Sequence, residues 1–164
     1  MADTVALLGS DGLEVQVARK VAERSVLIKN FLGDMVDATR PVQIPIPKAT
    51  AAVLTKVFEY CDHHKDDPVV PEEENAPETR KSSANIDPWD LEFMNIDQLM
   101  LYELITAANF LDIKPLLDLC CKVLANMIKG KSVEELRSLF GIVNDYTPEE
   151  EEEVRKENAW AEEC

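Results

Sequence analysis

The chain has 164 residues, enough for one ordinary domain with an appendage, and 46% of them are hydrophobic. A chain of this size buries roughly two thirds of its unfolded surface, so a core can form without disulfides or a structural metal. Seventeen Lys and Arg against 32 Asp and Glu leave a net charge of -15, which argues against nucleic acid and an anionic membrane as partners. No apolar run is long enough to span a membrane and no signal peptide is visible, so we expect a protein that is cytoplasmic and nuclear.

The first residues predict a β-hairpin. Two apolar segments, residues 4–8 and 13–17, flank a turn that contains two glycines. Apolar and polar residues alternate in the second segment, so Leu13, Val15 and Val17 are expected to face the core.

Short helices and a third strand should follow this hairpin. Residues 18–36 have helical spacing and predict one or two short helices, and residues 49–64 predict a longer one. Between them, Val42, Ile44 and Ile46 alternate among three prolines, which remove hydrogen-bond donors and confine the strand to a sheet edge. The sheet is therefore expected to be small.

An acidic segment at about residues 65–85 interrupts this pattern. It contains the run Glu72-Glu73-Glu74 and several prolines, and it offers only Val69 and Val70 for burial. Such a composition cannot offset the entropy of ordering the chain, so we expect a mobile, solvated insert.

Two strongly apolar helices are predicted next, over residues 98–111 and 115–128. The second is apolar around most of its circumference, which fits either a central core helix or the wall of a groove for a partner helix. Gly130 follows it where a left-handed cap is wanted. Ser132 and Thr147 each precede a glutamate by three residues, a spacing typical of capping boxes, and predict two further short helices.

Groups that could support catalysis or bind a metal are few. The spacing of Cys61, His63 and His64 matches no closed four-ligand zinc site. Cys120 and Cys121 lie in an apolar helix, where packing as reduced thiols is the simplest interpretation. The pattern predicts no enzyme and no cofactor, and a thiol or metal enzyme is the weakest of the hypotheses considered.

Five segments in a fixed order suggest a family. They are CDHHKDDP at 61–68, WDLEF at 89–93, AANFLDIK at 107–114, ANMIKGK at 125–131 and VRKENAW at 154–160. Together they resemble the Skp family, the adaptor subunits of SCF (Skp, cullin, F-box) ubiquitin ligases.

The resemblance implies an α+β BTB/POZ fold with a three-stranded sheet over residues 1–128, followed by F-box-binding helices over residues 129–164. It places the cullin-binding pair at Asn109 and Phe110, with phenylalanine where the family commonly has tyrosine. The expected F-box contacts are mostly apolar side chains of the later helices: Leu117, Cys121, Leu124, Ile128, Phe140, Ile142, Val143 and Trp160.

The function implied by this resemblance is that of a non-catalytic adaptor. It would link F-box proteins, which act as substrate receptors, to a cullin scaffold and so promote ubiquitination. The alternative is a BTB-type homo-oligomeric scaffold without a cullin partner. Whether the free protein forms a homodimer stays open.

Overall fold

The structure, a computed structural model, describes residues 4–34, 43–68 and 86–161. They form two compact units, one extending to Met127 and the other beginning at Ile128. The predicted α+β class is confirmed, since a small sheet is combined with several helices. Within the described ranges no helix is long and apolar enough to cross a membrane.

The sheet of the first unit has three strands, β1 (Thr4–Leu8), β2 (Glu14–Ala18) and β3 (Gln43–Pro45), in the order β2-β1-β3. β1 pairs with β2 in antiparallel orientation, as the hairpin prediction requires. β3 pairs with β1 in parallel orientation and lies at an edge, as its prolines indicated.

One expectation for the hairpin was wrong. Leu13 is 61% exposed, whereas Val17 is buried and Val15 is half-buried. β2 begins only at Glu14, and the Leu13 backbone N–H donates to Asp11 Oδ1 over 3.2 Å. Leu13 therefore belongs to the turn, where side chains no longer alternate between the two faces of the sheet.

The first unit contains six helices in its described part: α1 (Arg19–Ala22), α2 (Val26–Asp34), α3 (Ala51–His63), α4 (Pro88–Phe93), α5 (Gln98–Phe110) and α6 (Lys114–Ile128), whose last residue belongs to the second unit. The helices predicted over 18–36, 49–64, 98–111 and 115–128 are confirmed, while α4 was not predicted. The core combines side chains from the sheet and all six of these helices, including Leu7, Ile28, Ile46, Leu54, Phe93, Leu104 and Leu116.

The acidic insert begins in the described part of the chain. Asp66 accepts from Lys20 Nζ over 2.6 Å, and the Asp67 carbonyl accepts from Arg24 Nη1 over 3.1 Å. Both contacts join the start of the insert to the region of α1. Residues 69–85 lie outside the described residues, so the mobility of the insert stays a prediction.

The second unit contains α7 (Val133–Phe140), α8 (Pro148–Glu157) and a 3-10 turn, Ala159–Ala161. Both predicted capping boxes are confirmed, with Ser132 paired to Glu135 and Thr147 paired to Glu150. Neither helix has a buried residue. The starts of these helices are therefore defined by local hydrogen bonds rather than by a core.

Candidate partner-binding surfaces

The last turn of α5 carries the predicted cullin-binding pair. Asn109 is exposed, and Phe110 is half-buried with part of its ring against the core. Asp112 then adopts a left-handed conformation with φ 52°, and the Ile113 N–H donates to the Ala108 carbonyl over 3.0 Å. This is the Schellman arrangement, which ends the helix directly after this pair.

The start of α2 lies against this turn. The Val26 N–H donates to the Asp112 carbonyl over 3.4 Å, and the Ser25 hydroxyl donates to the Leu111 carbonyl over 2.5 Å. Along α2, Val26 is 43% exposed and Phe31 is 40% exposed. α2 therefore carries exposed apolar side chains, and its start is hydrogen-bonded to the turn that follows the cullin-binding candidates.

The F-box candidates of the first unit share one side of α6. Leu117, Cys121 and Leu124 follow at intervals of four and three residues, which places them on one helix face. Cys121 is exposed, and the two leucines are half-buried. Since α6 also buries Leu116 and Cys120, it is a core helix, as one interpretation of its sequence required. Its second apolar face is partly open, and a groove for a partner helix there stays a prediction.

The remaining F-box candidates lie in the second unit. Ile128 is 38% exposed, Ile142 57%, Val143 81% and Trp160 73%, while Phe140 is half-buried. Large apolar side chains with this much contact with water are typical of protein interaction sites. The sequence did not indicate three other exposed apolar side chains of this unit, which are Val133, Tyr146 and Val154. Each stands alone among polar residues, so periodicity gave no signal for it.

Ion pairs join the two helices of the second unit. Arg137 Nη1 lies 2.7 Å from Glu151 Oε1, and Arg155 Nη2 lies 3.4 Å from Glu134 Oε1. The hydrogen bond from Arg137 holds the pKa of the Glu151 carboxyl below its usual range. α7 and α8 are thus connected by charged groups.

Three of the side chains considered as metal ligands or nucleophiles are hydrogen-bonded or buried. Both ring nitrogens of His64 face carboxylates, those of Asp67 and Asp90. Burial raises the pKa of the Cys61 and Cys120 thiols to about 12, so neither is a thiolate at neutral pH. Within the described ranges, no three His, Cys, Asp or Glu side chains are grouped to hold a metal ion.

Comparison with protein families gives two matches. Residues 3–66 match the tetramerisation, POZ-type domain of the Skp1 family, and residues 114–161 match the dimerisation domain of the same family. The first match, together with the three-stranded sheet and its helices, confirms the predicted BTB/POZ fold.

Individual relatives are similar along almost their whole length. The "E3 ubiquitin ligase complex SCF subunit sconC" of Arthroderma benhamiae is 55% identical over 159 residues, which are 97% of this chain and 95% of the relative. The protein with the same description from Talaromyces stipitatus is 54% identical over 162 residues, 99% of each chain. The "Suppressor of kinetochore protein 1" of Schizosaccharomyces pombe is 52% identical over 158 residues, 96% of this chain and 97% of the relative. The chain therefore belongs to the Skp1 family.

Proposed function

We propose that this protein is a non-catalytic adaptor of an SCF E3 ubiquitin ligase that links F-box substrate receptors to a cullin. The observation that carries the proposal is the similarity from end to end, at 52% to 55% identity, to proteins described as SCF subunits or of the same family. Such an adaptor would promote ubiquitination by holding a receptor-bound substrate near the ligase machinery, which raises its effective concentration.

The distribution of exposed apolar side chains supports two separate partner surfaces. Asn109 and Phe110 at the end of α5 are the candidates for the cullin. Phe110 lacks the hydroxyl of the tyrosine common in the family, so any cullin contact at this position is apolar. The candidates for the F-box are the open face of α6 in the first unit and, in the second unit, exposed apolar side chains of which Trp160 is the largest.

Direct binding tests the proposal. The purified protein should bind a cullin N-terminal fragment and an F-box domain, and mass measurement should find one ternary complex that contains all three chains. Failure to bind either partner would contradict the adaptor role. We place this activity in the cytoplasm and nucleus, which imaging of the tagged protein would test.

A homo-oligomeric scaffold is the alternative, favoured by the uncovered apolar side chains of the second unit. The same mass measurements separate it from the adaptor. A stable oligomer of this chain that excludes both partners would favour the scaffold, whereas an oligomer that an F-box domain dissociates would favour the adaptor.

A further inference from the structure

Ser25 is the only polar residue in the buried set of the described residues, and none of its surface is exposed. A hydroxyl is costly to bury unless it forms hydrogen bonds. Ser25 lies immediately before α2, so its hydroxyl is expected to form hydrogen bonds with specific backbone groups there. Its contacts show which groups these are.

The Ser25 hydroxyl serves two helices at once. It accepts a hydrogen bond from the Ile28 N–H over 3.2 Å, which caps the start of α2. It also donates to the Leu111 carbonyl over 2.5 Å, at the end of α5. Since a methyl or a hydrogen can form neither bond, the link between these two helix ends requires a hydroxyl at this position.

The carbonyl that Ser25 binds is one that the helix cannot satisfy itself. The turn at Asp112 supplies donors to the Ala108 and Asn109 carbonyls, but the chain leaves the axis of α5 there, so no further turn of this helix follows the Leu111 carbonyl. Leu111 is itself buried. Without Ser25, its carbonyl would lose this hydrogen bond in a part of the core where a replacement donor is scarce.

We propose that Ser25 is a positioning residue for the cullin-binding surface: its hydroxyl ties the last turn of α5, which carries Asn109 and Phe110, to α2. The proposal rests on the adaptor function proposed above. Ser25 is buried, so it acts through the turn and contacts no partner itself. The adjacent bond from the Val26 N–H to the Asp112 carbonyl belongs to the same link.

The effect of removing the hydroxyl should be local. In Ser25→Ala the link between the end of α5 and α2 loses its side-chain hydrogen bond and keeps only the longer backbone bond, so the pair that this turn carries samples more orientations. A partner that binds this pair must then order it, so the cullin affinity should fall by up to about tenfold, the limit reached if the whole free energy of one hydrogen bond is needed to order the pair. The F-box candidates of the second unit lie outside this link, and affinity for an F-box domain should change far less.

Three variants of the full-length chain test the inference. Ser25→Ala removes the hydroxyl, and Ser25→Thr keeps it. Ile28→Val is the matched control, because it removes one methylene from a buried residue of the same helix without changing a hydrogen bond. The measurements are Kd for the cullin fragment, Kd for an F-box domain, thermal stability and amide hydrogen exchange of residues 111–113.

The expected result is weaker cullin binding and faster exchange at residues 111–113 in Ser25→Ala, with Ser25→Thr closer to the original protein on both. Ile28→Val should lose stability and keep its cullin affinity. If Ser25→Ala binds cullin as the original protein does, or if Ile28→Val weakens binding equally, the positioning role is wrong. If Ser25→Ala does not fold, Ser25→Cys, which has a weaker donor, takes its place with the same criteria.

The two proposals can fail separately. If the original protein does not bind cullin, the adaptor function is wrong, and this positioning role fails with it. If the original protein binds cullin and Ser25→Ala binds equally well, the adaptor function stands and only the role of Ser25 is rejected.

Discussion

His64 Nε2 lies 3.0 Å from Asp90 Oδ1 and joins the end of α3 to α4. Nδ1 of the same ring lies 2.6 Å from Asp67 Oδ2. An ionised carboxylate can only accept a hydrogen bond, so both ring nitrogens must carry a proton for both bonds to form. The arrangement therefore requires the charged imidazolium, and a neutral His64 would keep at most one of these two contacts.

The first prediction is that this link weakens as pH rises. Burial lowers the pKa of His64, but hydrogen bonds to Asp67 and Asp90 outweigh it and raise the pKa above the usual 6.5. Because the folded pKa is the higher one, the contribution to stability is complete below pH 6.5 and is lost as pH rises through the folded value. The loss should stay below the roughly 1.5 to 3 kcal/mol of one charge-assisted hydrogen bond, because Asp67 is exposed to water.

Urea unfolding at several pH values would measure this contribution. The stability of the original protein should fall as pH rises above the usual pKa of histidine. In His64→Gln this fall should be absent. His63→Gln is the matched control, since His63 is the adjacent residue and stacks on Trp89 with ring centroids 3.7 Å apart. Equal pH profiles for the original protein and His64→Gln would contradict the prediction.

The second prediction concerns the acidic insert. Deletion of residues 70–82 should shift the melting temperature by no more than about 2 °C, because the closure entropy of a loop changes slowly with its length. A deletion that begins at residue 65 should cost more, since it removes the contacts of Asp66 with Lys20 and of Asp67 with His64. Thermal melts of the two deletions would compare them directly. Equal melting temperatures would show that these contacts do not anchor the insert.

The third prediction is that the two partner surfaces are separable. Replacing Asn109 and Phe110 by lysine together would bring two unpaired charges into an apolar contact, which costs several kcal/mol. Cullin binding should be lost, and F-box binding should persist. Circular dichroism would verify the fold. Loss of both affinities in a folded double variant would contradict the separation.

The fourth prediction is that Trp160 anchors the F-box domain. Trp160 is 73% exposed, so Trp160→Ala should leave the stability of the free protein unchanged. Affinity for an F-box domain should fall by about 2 kcal/mol or more, as is usual when an aromatic anchor is removed. Leu99→Ala is the control, because Leu99 is 66% exposed in the first unit and belongs to neither predicted surface. Equal affinity losses in the two variants would reject the anchor role.

The fifth prediction concerns the thiols. Thiol counting in denaturant without reductant should find four free groups, because the chain is expected to carry no disulfide. In the native protein Cys121, which is exposed, should react much faster than Cys61 and Cys120, which are buried and have a raised pKa. Rapid reaction of all three would show that the core around α3 and α6 opens readily.

Features encoded within a few residues could be predicted from the sequence. The two capping boxes, Ser132 with Glu135 and Thr147 with Glu150, each lie within four residues, so their spacing predicts them directly. Gly141 ends α7 with φ 64°, in the left-handed conformation that glycine adopts readily. Leu13 was misassigned because alternation continued into the turn before β2.

Features that depend on distant residues could not be found in this way. α4 has only six residues, which is too short for a periodic pattern to detect. It begins after the Asp87 cap and is held by a contact between His64 and Asp90. The bond from Ser25 to Leu111 spans 86 residues and has no local signal. The partner contacts came from the family resemblance, because exposed apolar side chains alone do not identify a partner.

The bond between Ser25 and Leu111 also has a consequence for synthesis of the chain on the ribosome. The partner of Ser25 is made 86 residues later, so the first unit cannot complete this contact until most of it has been synthesised. The capping boxes of α7 and α8, by contrast, each involve only four consecutive residues and need no distant part of the chain. Because Trp160 follows the whole first unit in sequence, a receptor that needs Trp160 can bind only after all of the first unit has been made.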